Sequence, residues 1–438
     1  MASDASMTLD AQPSGERERL RAIRLTATAS LIGTTIEWYD FILYTSLAGL
    51  IFNRLYFPAD NPTVSLLLAY ATFAVGFLTR PIGGAFFGHF GDRIGRKPLL
   101  VTTLSMMGVA TFLIGLVPTY AAIGVAAPIM MVVLRLAQGF AMGGEWGGAV
   151  LMAFEYAPPG RRGFYACFPQ IGFAIGLCLS TCAITLLSSL LSNEAFLSWG
   201  WRCAFFVSIL LLAVGLFVRL KLFETPEFVR IREGYRVTRL PLGDVARNYW
   251  GNVLLGWLAR MGEGGIFTVY TLYMLPYLTS IVHLPRTLVL SSVTAAALVL
   301  IFTVPLASAW SDRIGRRRLF GIATLVNGIA CFPLLWMLQS GDPTLAAIAI
   351  VVAVGVLWAP VYGPEAALFC ELFDTPVRYT GVSLVYQFGS IIFLAPVPII
   401  ATLLVAWNNN QPWYLGCYLL VACIVSAIAT GLMRRTYA

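Results

Sequence analysis

Apolar runs long enough to cross a bilayer follow one another along nearly the whole chain, separated by short polar breaks. Twelve can be read, at about 25–50, 64–87, 98–118, 121–153, 163–191 and 198–220, then 249–280, 287–309, 318–339, 344–369, 379–406 and 411–433. Each approaches the ~20 residues that a helix needs to span the hydrocarbon core. One long polar stretch, residues 221–248, divides the runs six and six. The pattern predicts an all-α integral membrane protein of twelve transmembrane helices in two six-helix halves. Its parts are an N-terminal arm (1–24), a first half (25–220), a linker (221–248), a second half (249–433) and a short tail (434–438). Within the linker, Glu224 to Gly234 reads as a surface helix.

The halves repeat each other. Gly88-His89-Phe90-Gly91-Asp92-Arg93-Ile94-Gly95-Arg96-Lys97 has a partner in Ser308-Ala309-Trp310-Ser311-Asp312-Arg313-Ile314-Gly315-Arg316-Arg317, with the two aspartates 220 positions apart. Glycines and arginines between two apolar runs predict a tight loop, anchored where arginine meets an anionic lipid surface. A second echo joins Glu155, Arg162 and Gln170 to Glu371, Arg378 and Gln387 at nearly equal spacing. Such duplication is the plan of secondary transporters that rock two halves about a midplane site.

Composition agrees, at 58% hydrophobic and 11% charged residues, against roughly 45–50% and about 25% in soluble proteins. Residues 1–24 are polar and charged, so no cleavable leader is expected. The eight cysteines are scattered without Cys-x-x-Cys or a Cys/His cluster, which points away from a metal or disulfide framework. No hydrolase triad or phosphate-binding Gly-x-x-x-x-Gly-Lys-Ser/Thr loop is present, so an enzyme is not expected. The net charge of +8 does not indicate nucleic acid, because 23 of the 29 Lys and Arg fall in alternate loops on one side. The positive-inside rule makes that side, and both termini, cytoplasmic. The chain is expected in a bacterial inner membrane, as a monomer.

Arg80, Arg135 and Arg260 fall inside apolar runs, where a charge costs at least ~2.5 kcal/mol and is a functional candidate. In the first span Glu37 and Asp40 lie three apart, with Tyr44 four further on, forming one polar stripe. The fourth span carries Arg135, Gln138 and Glu145. Glu145, set among glycines, is read either as a proton carrier or as the cap of a water file. Arg80 either offers its planar fork to a carboxylate or snorkels to the surface. Arg260 and Glu263, three apart in the seventh span, form either a self-neutralising structural pair or part of a binding site. Gln170 and Gln387 occupy matching repeat positions and are candidate cavity donors. Trp38, Trp146, Tyr362 and Tyr386 read as packing or interface aromatics.

These residues resemble a known family. Gly88-x-x-Gly91-Asp92-Arg93-x-Gly95-Arg96-Lys97 is similar to the signature loop of the major facilitator superfamily. Glu37-Trp38-Tyr39-Asp40-Phe41, Arg80-Pro81-Ile82-Gly83-Gly84, Arg135-x-x-Gln138-Gly139 with Gly143-Gly144-Glu145-Trp146-Gly147, and Trp199-Gly200-Trp201-Arg202 resemble its metabolite:proton symporter branch. Glu371-Leu372-Phe373 with Arg378-Tyr379-x-Gly381 completes the set. That branch includes permeases for shikimate, α-ketoglutarate, citrate and proline or betaine, and the shikimate pattern is nearest. The chain departs from that pattern at Glu37 and around Tyr362-Gly363-Pro364-Glu365.

The resemblance implies roles. Asp40 would face Arg135 and release it on protonation, with Glu37 as rival carrier; a fixed ion pair is the plainer alternative. Arg80, Arg135, Gln138, Tyr44, Gln170, Arg260, Glu263 and Gln387 would contact substrate. Asp92 would cap the eleventh helix, Arg93 or Arg96 would reach Glu155, and Arg162 would join them. Asp312, Arg313, Arg316, Glu371 and Arg378 would form the matching latch. The function implied is proton-coupled import of a small organic carboxylate by alternating access, with no cofactor beyond the coupling proton. A proton-coupled proline/betaine symporter or a drug/proton antiporter is the alternative.

Overall fold

A computed structural model describes residues 16–58, 62–221 and 240–433. The expected surface helix at 224–234, most of the arm and the tail lie outside the described residues. Twelve long helices follow in chain order: α1 (Glu16–Leu47), α2 (Pro62–Ile94), α3 (Arg96–Leu116), α4 (Ala126–Tyr156), α5 (Arg162–Leu190) and α6 (Phe196–Leu220). Then come α7 (250–280), α8 (Arg286–Ile314), α9 (Arg316–Gln339), α10 (Pro343–Cys370), α11 (Thr375–Trp407) and α12 (Trp413–Leu432). Nine of them are long and apolar enough to cross a membrane on composition alone; α1, α2 and α7 are the other three. Those three carry Glu37 and Asp40, Arg80, and Arg260 with Glu263. Large apolar side chains such as Leu78, Leu190, Phe302, Ile329 and Trp407 point outward and exposed, as a lipid-facing surface requires.

The halves pack alike. In the first, α2 lies against α4, α1 against α5 and α3 against α6; in the second, α8 lies against α10, α7 against α11 and α9 against α12. Between halves, α2 meets α11 and α5 meets α8. One apolar core crosses the divide, joining Trp146, Phe154 and Phe173 to Trp358, Tyr362 and Tyr386.

The expected motif loops are almost entirely helix. α2 continues to Ile94 and α3 begins at Arg96, so Gly95 alone makes the turn, at φ 112°. Gly315 does the same between α8 and α9, at φ 97°. Only glycine holds such a φ without steric cost. A 33-residue helix such as α2 is ~50 Å long and overruns a ~30 Å core, so its charged end stands clear of lipid. The end of the linker, Pro241–Asn248, is a short helix that buries Pro241 and Val245.

Candidate functional site

Charged side chains hold the halves together at the motif end. Asp92 on α2 caps α11, accepting from Thr380 N and Thr380 Oγ1 at 2.9 Å each and from Tyr379 N at 3.3 Å. α2 comes this close because a Cβ at Gly91 would sit 2.1 Å from the Tyr379 ring. Asp312 caps α5 in the same way, through Gly163 N at 2.8 Å and Phe164 N at 2.9 Å. Glu155 pairs with Arg378 at 3.2 Å and Arg96 at 3.6 Å. Arg96 also reaches Asp92 and Thr375 O. Arg316 pairs with Asp312 at 2.6 Å and with Glu371. Of the expected latch residues, Arg93 and Arg313 are exposed, and Arg96 is the one that reaches Glu155. Arg162 lies over the Phe154 ring at 4.9 Å. Helix termini offer unpaired N–H groups and a positive dipole, so a buried aspartate fits each.

A cavity of about 160 Å³ lies between the halves. Arg80, Arg260 and Glu263 line it, walled by Trp38, Phe41, Trp358, Tyr362 and Tyr386. The segments Val269–Tyr273 of α7 and Ser390–Leu394 of α11 widen to π-turns where these helices border it, and a π-turn at Val351–Leu357 of α10 ends just before the lining residue Trp358. Such turns leave backbone groups and side chains off the regular helical positions, and they cluster at functional sites.

The remaining expected contacts lie behind the cavity wall. Asp40 and Arg135 do not form the expected direct pair. Asp40 accepts from Ser208 Oγ and, at 2.8 Å, from Thr111 Oγ1. Arg135 donates to Gln138 Oε1 at 2.9 Å, and Gln138 Nε2 donates to Thr111 Oγ1 at 2.6 Å. Asp40 and Arg135 therefore communicate through a hydroxyl and an amide. Tyr44 is fully buried beneath Arg135, 4.2 Å from ring centre to guanidinium. Gln170 accepts from Trp146 Nε1 at 2.8 Å and donates to Tyr362 O at 3.1 Å. Gln387 donates to Gly143 O at 3.0 Å. Gln138 and Gln170 thus fasten helices here, each with both ends of its amide taken up by neighbours, whereas Tyr44 Oη and Gln387 Oε1 make no hydrogen bond among the described residues.

Glu145 has a charged partner. It is clasped by both terminal nitrogens of Arg219 and accepts from Thr103 Oγ1 at 2.7 Å. Arg219, near the end of α6, is 1% exposed. A Cβ at Gly33 would fall 1.9 Å from the Arg219 guanidinium, so that glycine opens the slot it fills. Glu37 is 3% exposed, and its charged neighbours are Glu145, Arg80, Arg219 and Asp40.

Arg80 stands apart. It is 6% exposed, stacked over Phe77 at 4.1 Å and Phe41 at 4.5 Å, with Nη2 directed at Met142 Sδ. Among the described residues no carboxylate lies within ion-pair distance of it, and its Nε has no hydrogen-bond partner. Arg135 stacks on the same Phe41 ring at 4.9 Å. Arg260, by contrast, pairs with Glu365 at 2.6 Å and Glu263 at 3.1 Å. Glu365 was not among the expected site residues. Trp38, Tyr362 and Tyr386, read as packing aromatics, line the cavity; the sequence carried no signal for that beyond their position in spans.

Comparison with known proteins accords with this architecture. The chain is 39% identical over 415 residues to the inner membrane metabolite transport protein YhjE of Escherichia coli K12, covering 93% of each. It is 37% identical over 432 residues to the shikimate transporter of the same organism, covering 98% of each. Its fold superposes on the proton:xylose symporter XylE with a TM-score of 0.79, at 16% identity, over 95% of this chain and 97% of that one. Residues 30–396 match the Major Facilitator Superfamily. With two six-helix halves, paired helix-capping aspartates and a cavity between them, this chain belongs to the Major Facilitator Superfamily and is a membrane transporter.

Proposed function

We propose that the protein is a proton-coupled symporter that imports a small organic carboxylate across a bacterial inner membrane, with the motif end and both termini in the cytoplasm. One observation carries the reading. Arg80 faces the cavity, buried on aromatic rings, with no carboxylate at ion-pair distance among the described residues. A buried guanidinium without a counter-charge is costly. A substrate carboxylate supplies that charge, and the planar fork can take it in two parallel hydrogen bonds. Arg135, stacked on the same Phe41 ring, adds positive potential. The cavity volume suits a compact metabolite.

The latches at the motif end hold the cytoplasmic side shut, so the cavity is loaded from outside. Asp40 is the proton carrier in this reading. While ionised it accepts from Thr111 and Ser208. Once protonated it no longer opposes Arg135 through the Thr111–Gln138 chain, and Thr111 can turn its O–H to Met107 O, 3.0 Å away. Substrate and proton together neutralise the first half, which lets the halves rock and the aspartate caps open. The cavity lies within one chain, so a monomer suffices.

A second reading, a proton-coupled osmolyte symporter, is favoured by the aromatic wall. Trp38, Trp358, Tyr362 and Tyr386 could receive a quaternary ammonium while Arg80 takes the carboxylate. The test is uptake into proteoliposomes of shikimate, α-ketoglutarate, citrate, an aromatic acid, proline and betaine, with and without an inward proton gradient. Accumulation of a carboxylate only under the gradient, abolished in Arg80→Gln, supports the first reading. Accumulation of zwitterions alone replaces it with the second.

A further inference from the structure

Arg260, Glu263 and Glu365 put two carboxylates on one guanidinium. Arg260 Nη1 lies 2.6 Å from Glu365 Oε1 and 3.1 Å from Glu263 Oε2, and all three side chains are at most 3% exposed. Both acids therefore converge on the same nitrogen. Arg260 Nη2 donates instead to Ser390 Oγ at 3.3 Å, and the guanidinium lies 4.0 Å from the centre of the Tyr386 ring. Glu365 Oε2 and Glu263 Oε2 make no hydrogen bond. Among the described residues Arg260 is the one cation at ion-pair distance from either acid. The titratable neighbours are Tyr362 on α10 and Tyr386 on α11; beyond the cluster, beside Tyr386, stand Glu37 on α1 and the Arg80 guanidinium on α2, which is not at ion-pair distance from either acid.

If both acids were ionised, the cluster would carry a net negative charge at bilayer depth with one counter-ion. Desolvation makes that state expensive. One proton makes the cluster neutral. Two carboxylates contending for one donor are the arrangement in which a proton is shared and titration belongs to the pair. Access is also present: Glu263 and Arg260 line the cavity, whereas Glu365 stands behind them, fully buried.

We propose that Glu263 and Glu365 together hold one exchangeable proton, with Arg260 as fixed counter-charge, as a proton-binding site in the second half separate from Asp40. Its consequence for transport rests on the symport reading above; the proton site itself does not. A substrate carboxylate that takes Arg260 displaces the ionised acid. The displaced acid takes up a proton that arrives from the outside solution through cavity water, so one anion and one proton enter together and the cluster stays neutral. Release reverses both steps.

The test is infrared difference spectroscopy on the purified full chain through a pH step, without added substrate. Wild type, Glu365→Gln, Glu263→Gln and Asp40→Asn are compared, with thermal unfolding as a second measurement. The expected result is a buried protonated-carboxyl C=O band at neutral pH that persists in Asp40→Asn. It should vanish in both glutamine variants, where the remaining acid and Arg260 form an ordinary one-to-one pair. Unfolding temperatures of those variants should match or exceed wild type. A band unchanged in both, or a severe loss of stability in both, overturns the proposal, since each would mean that the two acids are ionised. If the bands behave as expected but wild-type uptake ignores the proton gradient, the symport reading fails and the proton site stands.

Discussion

The two halves share a fold and bury their charges in opposite ways. In the first half, the cavity-depth charges are spread out and answered mostly by neutral groups. Asp40 rests on two hydroxyls, Arg135 on an amide and a phenol ring, and Arg80 on two phenyl rings and a thioether. In the second half they are gathered into one cluster around Arg260. A charge held by dipoles and rings can exchange partners at little cost, whereas a charge held by opposite charges cannot lose one without exposing the other. The first half is therefore built to receive an ion with no charged partner to displace, and the second to keep its cluster neutral by taking up a proton whenever one carboxylate replaces another. The two π-turns that contribute residues to the cavity wall, in α7 and α11, both belong to the second half.

The sharpest way to break this contrast is to delete one arginine from each half. Arg260→Ala strands two buried carboxylates and should cost about 3–5 kcal/mol of stability, seen as a large fall in unfolding temperature in detergent. Arg80→Gln should leave that temperature unchanged or raised, because it removes an unpaired buried charge. It should nevertheless weaken anion binding ~10–100-fold, the loss of one charged hydrogen-bonded contact of about 1.5–3 kcal/mol. Equal destabilisation by the two would end the distinction.

Asp40→Asn should keep the polar contacts to Thr111 and Ser208 while removing the titratable charge. Substrate exchange across liposomes should then persist, while gradient-driven accumulation is lost. Smaller still is the effect at the motif turns. Gly95→Ala and Gly315→Ala each force a positive φ on a residue with a Cβ, costing about 1–2 kcal/mol. At Gly315 the loss is backbone strain alone, since a Cβ there meets nothing within 4 Å.

Much of the latch was legible because its logic is local. Asp92 and Asp312 stand at repeated positions next to a helix end, and an aspartate in an apolar setting needs donors of the kind a helix N-terminus offers. Arg219 was not among the expected site residues: two positions from the polar stretch that begins at 221, it reads as the end of a span. Only the slot beside Gly33 and the facing Glu145 make it a buried residue. Glu365 lay in a stretch noted for departing from the family pattern, but nothing in that stretch indicates Arg260, 105 positions earlier.

By itself the sequence determined the number of spans and the duplication, since bilayer thickness and the cost of buried charge act on each segment alone, and its motifs pointed to the family. It also determined which residues are too expensive to be incidental, Arg80, Arg135 and Arg260 among them. Tertiary structure decided what each of them faces. Side chains distant along the chain meet only after twelve helices have packed, and a guanidinium has a different role over a phenyl ring than between two carboxylates.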